Sequence, residues 1–222
     1  MGKSHGKQPS KGTKSSSRNN NAGKPSAPSF HHPSTPAIFF FKDDELPYGC
    51  FCQWYRCSFR DPESGLEFSS AEQWMMWNKA KMADDKASMR EIMKTSSPLE
   101  QKNMGRDVKG FEPAEWDKVK FDVVVKGNMM KFTQGDDGAY SKSTATFDNG
   151  EEPTPRPLRE ILMASGDKYL CEALHFDRVW GIGYSEAEAG KMSRSKWGEN
   201  LLGQALCVVR DRLRGEEAET ET

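Results

Sequence analysis

A chain of 222 residues, 35% hydrophobic and 29% charged, is long enough to bury one ordinary core. Its longest apolar run, Ala37 to Phe41, is far too short to cross a bilayer, and five cysteines (Cys50, Cys52, Cys57, Cys171, Cys207) make no even disulfide framework. The net charge of −1 hides an asymmetry: six of the 32 basic residues but none of the 33 acidic ones fall within residues 1–35, leaving the remainder at about −7.

Residues 1–35 are Lys, Ser, Asn, Gly and Pro, too poor in apolar side chains to offset ordering entropy, and are expected to form a disordered basic tail. A folded domain is expected over 36–214, followed by an acidic tail, 215–222, also expected to be disordered. The domain opens on aromatic-rich runs at Ile38–Phe41 and Gly49–Phe59, which read as strands. The turn residues Asp61-Pro-Glu-Ser-Gly65 precede a short return at Leu66–Phe68. Helices follow at Ser70–Ala83 and Lys86–Met93, with a short one starting at Ser97-Pro98. Pro113 starts a long helix to Phe132, on which Trp116, Val119, Val123 and Met130 recur at helical spacing. Residues 133–156, rich in Gly, Asp, Ser and Thr, read as a surface insertion. Leu158–Ala164 reads as a helix and Tyr169–Leu174 as a short strand. A last helix, Asn200 to Leu213, carries Leu202, Leu206, Val209 and Leu213 on one stripe. The whole is an α+β domain, predominantly helical, with a small N-terminal β element.

Only His175 among four histidines lies within the domain, so any chemistry rests on carboxylates, lysine and arginine. Glu72 and Lys79 are seven residues apart on one predicted helix, close to two turns, and so share a face. Ser69-x-x-Glu72 also fits a capping box, which would give Glu72 a structural role. Lys79 has Met75, Met76, Met82 and Ala83 one turn away; it either snorkels out or, desolvated, keeps some neutral amine for nucleophilic attack. Arg106 beside Gly105 suits a phosphate contact, and Asn200 at a helix start either seats a phosphate on free amides or acts as a simple N-cap. The cluster Cys50, Cys52, Cys57 fits no common zinc spacing, and neither a metal nor a cofactor is expected. The thiols and the lack of a secretory segment lead us to expect an intracellular protein, cytoplasmic or nuclear, without a membrane.

In this order the segments resemble the NADAR family (YbiA-like N-glycosidases). The matches are Phe39-Phe40-Phe41, Cys52-Gln53-Trp54-Tyr55, and the helix from Phe68 to Met82 with Glu72, Gln73, Lys79 and Ala80. They continue with Gly105-Arg106, Trp116, Lys131-Phe132, Trp180-Gly181-Ile182-Gly183, and Gly198-x-Asn200-x-Leu202-Gly203. The resemblance spans about residues 37–214. It implies a domain that cleaves N-glycosidic bonds, either removing ADP-ribose from guanine bases or hydrolysing phosphoribosylamino-pyrimidine intermediates of riboflavin synthesis. It implies Lys79 as the amine that forms a Schiff base at the anomeric carbon and Glu72 as its acid/base partner. Arg106 and Asn200 would hold phosphates. Gln53, Trp54, Tyr55, Trp116, Trp180, Gly181, Ile182 and Gly183 would shape the base and ribose pocket. Cys52 and Gln53 stand where the family more often has Ser and Asn, which bears on substrate rather than on the catalytic pair. The basic tail favours nucleic acid as the carrier of the substrate, and a non-catalytic ADP-ribose-binding module is the alternative class.

Overall fold

From the N-terminal side, β1 (Ala37–Phe40) leads through a 3-10 turn at Gly49–Phe51 to a hairpin of β2 (Arg56–Arg60) and β3 (Glu67–Ser70). Four helices follow: α1 (Ala71–Met82), α2 (Lys86–Lys94), α3 (Pro98–Arg106) and α4 (Pro113–Gln134). A two-stranded ribbon, β4 (Thr144–Ala145) and β5 (Thr154–Pro155), precedes α5 (Leu158–Ala164) and β6 (Tyr169–Glu172). The four-residue α6 (Glu186–Ala189) and the long α7 (Leu201–Thr220) complete the chain. A computed structural model describes residues 1–2, 35–135, 144–145 and 154–220; most of the expected basic tail and most of the expected insertion lie outside the described residues.

Helix α1 runs through the middle of the domain. Its centre, Trp74-Met75-Met76-Trp77, puts large apolar side chains on every side, and exposure is confined to its C-terminal end, at Lys81. Every residue from Ala71 to Trp77 is buried, and α2, α3 and α4 pack around it. The helix begins one residue later than a Ser69 cap would place it. The Ser70 hydroxyl accepts the amide of Gln73 at 3.0 Å, and the Gln73 side-chain oxygen accepts the Ser69 amide at 2.7 Å. The capping glutamate expected at Glu72 is therefore Gln73, and Glu72 is left to face the interior.

Gln73 and Gln101 tie the helices together: the Gln73 amide donates to the Ile92 and Thr95 carbonyls, and Gln101 donates to Thr95 as well. Helix α7 buries the expected stripe Leu202, Leu206, Val209 and Leu213, each at 1% exposure or less; a leucine so placed contributes roughly 2 kcal/mol. On α4 the stripe differs from expectation. Val119 is exposed and Val123 only half-buried, while Val124, Val125, Asn128, Met130, Lys131 and Phe132 turn inward.

Two further differences come from contacts that sequence patterns do not carry. β1 pairs in parallel with β6, more than a hundred residues away, Ala37 opposite Tyr169 and Phe40 opposite Glu172. Helix α7 continues past Leu213 into the run expected to be a disordered acidic tail, where Glu217 accepts from Arg159 Nε and Nη2 at 3.1 and 3.0 Å. Among the described residues no helix is long and apolar enough to cross a membrane. All five cysteines are buried and none is in a disulfide among the described residues.

Candidate active site

Glu72, Met75, Met76 and Lys79 form one row along α1, and all four line a single cavity of about 610 Å³, within the range of small-molecule sites. The remaining walls are delivered by several other parts of the chain, the segment 41–44 after β1 among them. Gly105 lets α3 lie directly on α1, since a Cβ there would fall 2.0 Å from Met76 Sδ. That close approach brings Lys102 and Arg106, one turn apart on α3, to the same cavity.

The Cys52-Gln53-Trp54 wall is held from behind by α4. Lys131, fully buried, donates from Nζ to the Cys52 carbonyl at 2.8 Å, with the Tyr55 and Phe132 rings 5.5 Å away. Asn128 Nδ2 donates to Gln53 Oε1 at 3.0 Å, and the Glu72 amide donates to the Gln53 carbonyl at 3.0 Å. Gln53 Nε2 is buried and has no hydrogen-bond partner among the described residues. Trp54 carries Lys102 Nζ over its ring at 5.6 Å. The last wall is the C-terminal end of β6 and the loop after it, with Glu172, Asp177 and Trp180; Trp116 of α4 also lines the cavity.

The charges in this cavity oppose one another. Burial pushes the Glu72 carboxyl up to about 7, although Lys102, Arg106 and Lys79 pull it down. Glu172 is pushed up to about 8 by burial, reinforced by Asp177 and Glu72. Lys79 is held below the ordinary lysine range by desolvation and then by Arg106, while Glu72 works the other way. Its Nζ lies 4.0 Å above the centroid of the Phe111 ring. A lowered ammonium and a raised carboxyl coupled to it on one cavity wall are the kind of perturbed groups that acid–base chemistry uses.

Glu72 also sets a pH dependence of stability. Its folded value is raised, so its contribution is fully present below the ordinary carboxylate value of 4.5 and is lost as pH rises to about 7. Glu72→Gln, which mimics the protonated form, is expected to stabilise the domain at pH 8 by roughly 2–3 kcal/mol and to bring no gain at pH 4.5. Urea unfolding at the two pH values checks this; equal effects at both would show that the carboxyl is not held protonated.

Of the residues expected at the site, Glu72, Lys79, Gln53, Trp54, Arg106, Trp116 and Trp180 line the cavity. Tyr55, Gly181, Ile182, Gly183 and Asn200 do not. Tyr55 is core, and Gly181-Ile182-Gly183 packs behind β6, with the Ile182 amide donating to the Glu172 carbonyl at 2.9 Å. Asn200 offers no phosphate seat: the amides of Asn200, Leu201 and Leu202 already donate to the carbonyls of Gly181, Val179 and Trp180. Its side chain instead bridges Leu170 and Glu172 of β6, beside a separate cavity of about 210 Å³.

Sequence reasoning missed Lys102, Glu172 and Asp177. Lys102 precedes Arg106 by one helical turn, a signal that was available. Glu172 shows itself only as a carboxylate closing a strand that is buried throughout.

Comparison with known proteins identifies the family and the fold. The NADAR domain model matches residues 39–214. An N-glycosidase of Acanthamoeba polyphaga mimivirus is 36% identical over 165 residues, 72% of this chain and 85% of that protein. A riboflavin biosynthesis protein of Vibrio vulnificus is 24% identical over 176 residues, 79% of this chain and 38% of its own length. The solved structure of the Escherichia coli protein YbiA superimposes with a TM-score of 0.60 at 25% identity, covering 87% of this chain and 94% of that one. With the family's domain matched from β1 to α7 and its fold reproduced, the chain belongs to the NADAR family.

Proposed function

We propose that the protein is an N-glycosidase that removes ADP-ribose from guanine in nucleic acid through a lysine Schiff base. The observation that carries this reading is the row on α1: a buried carboxyl and a partly desolvated amine, electrostatically coupled, on one wall of one cavity. The name of the mimivirus relative supports N-glycosidic cleavage as the reaction class.

In this mechanism the neutral Lys79 Nζ attacks the anomeric carbon and the bond to the base nitrogen breaks, the electron pair leaving with the base. Glu72 takes the proton that the attacking amine sheds. Opening of the sugar ring, whose oxygen takes the proton back from Glu72, leaves an imine between Lys79 and C1, and water adds to that carbon to release the free sugar and the amine. Lys102 and Arg106 supply cations for the phosphates, and Trp54 supplies an aromatic face for a base. The basic run at residues 1–35 favours a nucleic-acid carrier over a small substrate.

The Vibrio relative supports a second reading, hydrolysis of phosphoribosylamino-pyrimidines. Incubation with an ADP-ribosylated guanine oligonucleotide and, separately, with such a pyrimidine distinguishes the two. The expected result is free ADP-ribose and a restored oligonucleotide. Cleavage of the pyrimidine alone would move the assignment to the second reading. Binding of ADP-ribose with no turnover of either would make the domain a binding module.

A further inference from the structure

We propose that Glu172 is a second catalytic residue of this site, the acid that protonates the departing base nitrogen, and that Asn200 is the positioning residue that holds it in place. The inference rests on the N-glycosidase reading and assigns the one proton that reading leaves without a donor.

Glu172 lines the same cavity as Glu72 and Lys79 but comes from a different element, at the end of β6. Its backbone is fixed on every side. The amide donates to Asn200 Oδ1 at 3.0 Å, the carbonyl accepts from Ile182 at 2.9 Å, and the residue pairs with Phe40 of β1. Asn200 closes the clamp by donating from Nδ2 to Leu170 at 2.9 Å, from a backbone conformation (φ 54) that asparagine tolerates better than most residues. The residue held this way is 9% exposed, and its Oε2 is buried with no hydrogen-bond partner among the described residues. An ionised oxygen stranded there is costly, so the group is built to carry a proton until a ligand takes it.

The charged groups facing it agree with that state. Asp177 from the following loop and Glu72 from α1 both oppose its ionisation, and Lys102 from α3 opposes them more weakly than burial and Asp177 act. Glu72 thus couples electrostatically both to Lys79 and to Glu172, so the proton acceptor and the proton donor of the reaction are carried by two different carboxyls.

The step balances without an outside reagent. Lys79 forms its bond to C1 and passes a proton to Glu72, while the C1–N bond breaks and its electron pair takes the Glu172 proton. The water that later adds to the imine returns a proton to Glu172.

The test compares wild type, Glu172→Gln, Glu172→Asp and Lys79→Ala on two probes: an ADP-ribosylated guanine oligonucleotide and para-nitrophenyl ADP-ribose. Nitrophenolate leaves without a proton. Glu172→Gln is expected to lose about 10²–10⁴-fold in kcat/KM on the oligonucleotide and less than about tenfold on the nitrophenyl probe. Glu172→Asp, which keeps a carboxyl, recovers part of the loss. In the pH profile on the oligonucleotide, the wild-type fall above about pH 8 is absent from Glu172→Gln. Equal losses on both probes, no loss on either, or a high-pH fall that persists in Glu172→Gln would each overturn the assignment. If the nitrophenyl probe is not accepted by wild type, the pH profile alone decides. A wild type that cleaves neither probe would defeat the ADP-ribosyl-guanine reading on which the assignment rests, whereas wild-type cleavage lost in Lys79→Ala keeps that reading and leaves Glu172 to be judged on its own variants.

Discussion

Lys79→Ala is expected to lower turnover of the N-glycosidic substrate by at least about 10³-fold while leaving the domain folded. The loss is large because the other amines of the cavity come from other elements: Lys102 lies on α3, over Trp54, and Lys42 in the segment after β1, while Lys131 is spent on the Cys52 carbonyl inside the core. The effect on stability is small because opposing changes nearly cancel. The variant gives up a cation–π contact with Phe111 worth roughly 1 kcal/mol. It gains the best helix former and relieves the partial desolvation of an ammonium group. Steady-state kinetics beside thermal unfolding separates the two. A variant that unfolds near wild type yet keeps more than a tenth of the activity would remove Lys79 from the chemistry.

Gly203→Ala is expected to destabilise the protein by about 3 kcal/mol or more, a fall in Tm of order 10 °C for a domain of this size. A Cβ at residue 203 would lie 1.9 Å from the Leu170 carbonyl and 2.4 Å from Asn200 Nδ2. The first of these is strand backbone and the second is the clamp on Glu172, so neither can yield cheaply. Helix α7 would have to withdraw from β6, uncovering the fully buried Leu170 and Leu206. Gly215 in the same helix has nothing within 4 Å of its Cβ position. There the same substitution is expected to stabilise by roughly 0.5–1 kcal/mol through helix propensity. Two alanine variants of one helix that melt together would contradict the close packing at Gly203.

What could be read in the sequence was what depends on local geometry. The shared face of Glu72 and Lys79 follows from helical pitch alone, and the buried stripe of α7 from its 3.6-residue period. The same local rules misassigned the α1 cap, because Ser69 and Ser70 each stand three residues before a Glu or Gln; only the observed hydrogen bonds decide between them. Asn200 shows the limit more sharply. A glycine and an asparagine before a helix look alike whether the amides are free or taken, and here the loop at residues 179–181 takes them. Glu172 belongs to the site because β6 pairs with β1 across the length of the chain, a contact with no local signature. The family resemblance supplied the order of the motifs, but not the division between side chains that line the cavity and those, such as Tyr55 and Ile182, that hold its walls.

The central claim is that Lys79 forms the covalent bond. Borohydride reduction during turnover of an ADP-ribosylated guanine oligonucleotide, followed by peptide mapping, tests it most directly. The account predicts a reduced ADP-ribose adduct on the peptide containing Lys79, in wild type and not in Lys79→Ala. Turnover with no trapped adduct, or an adduct on Lys102 in place of Lys79, would contradict it.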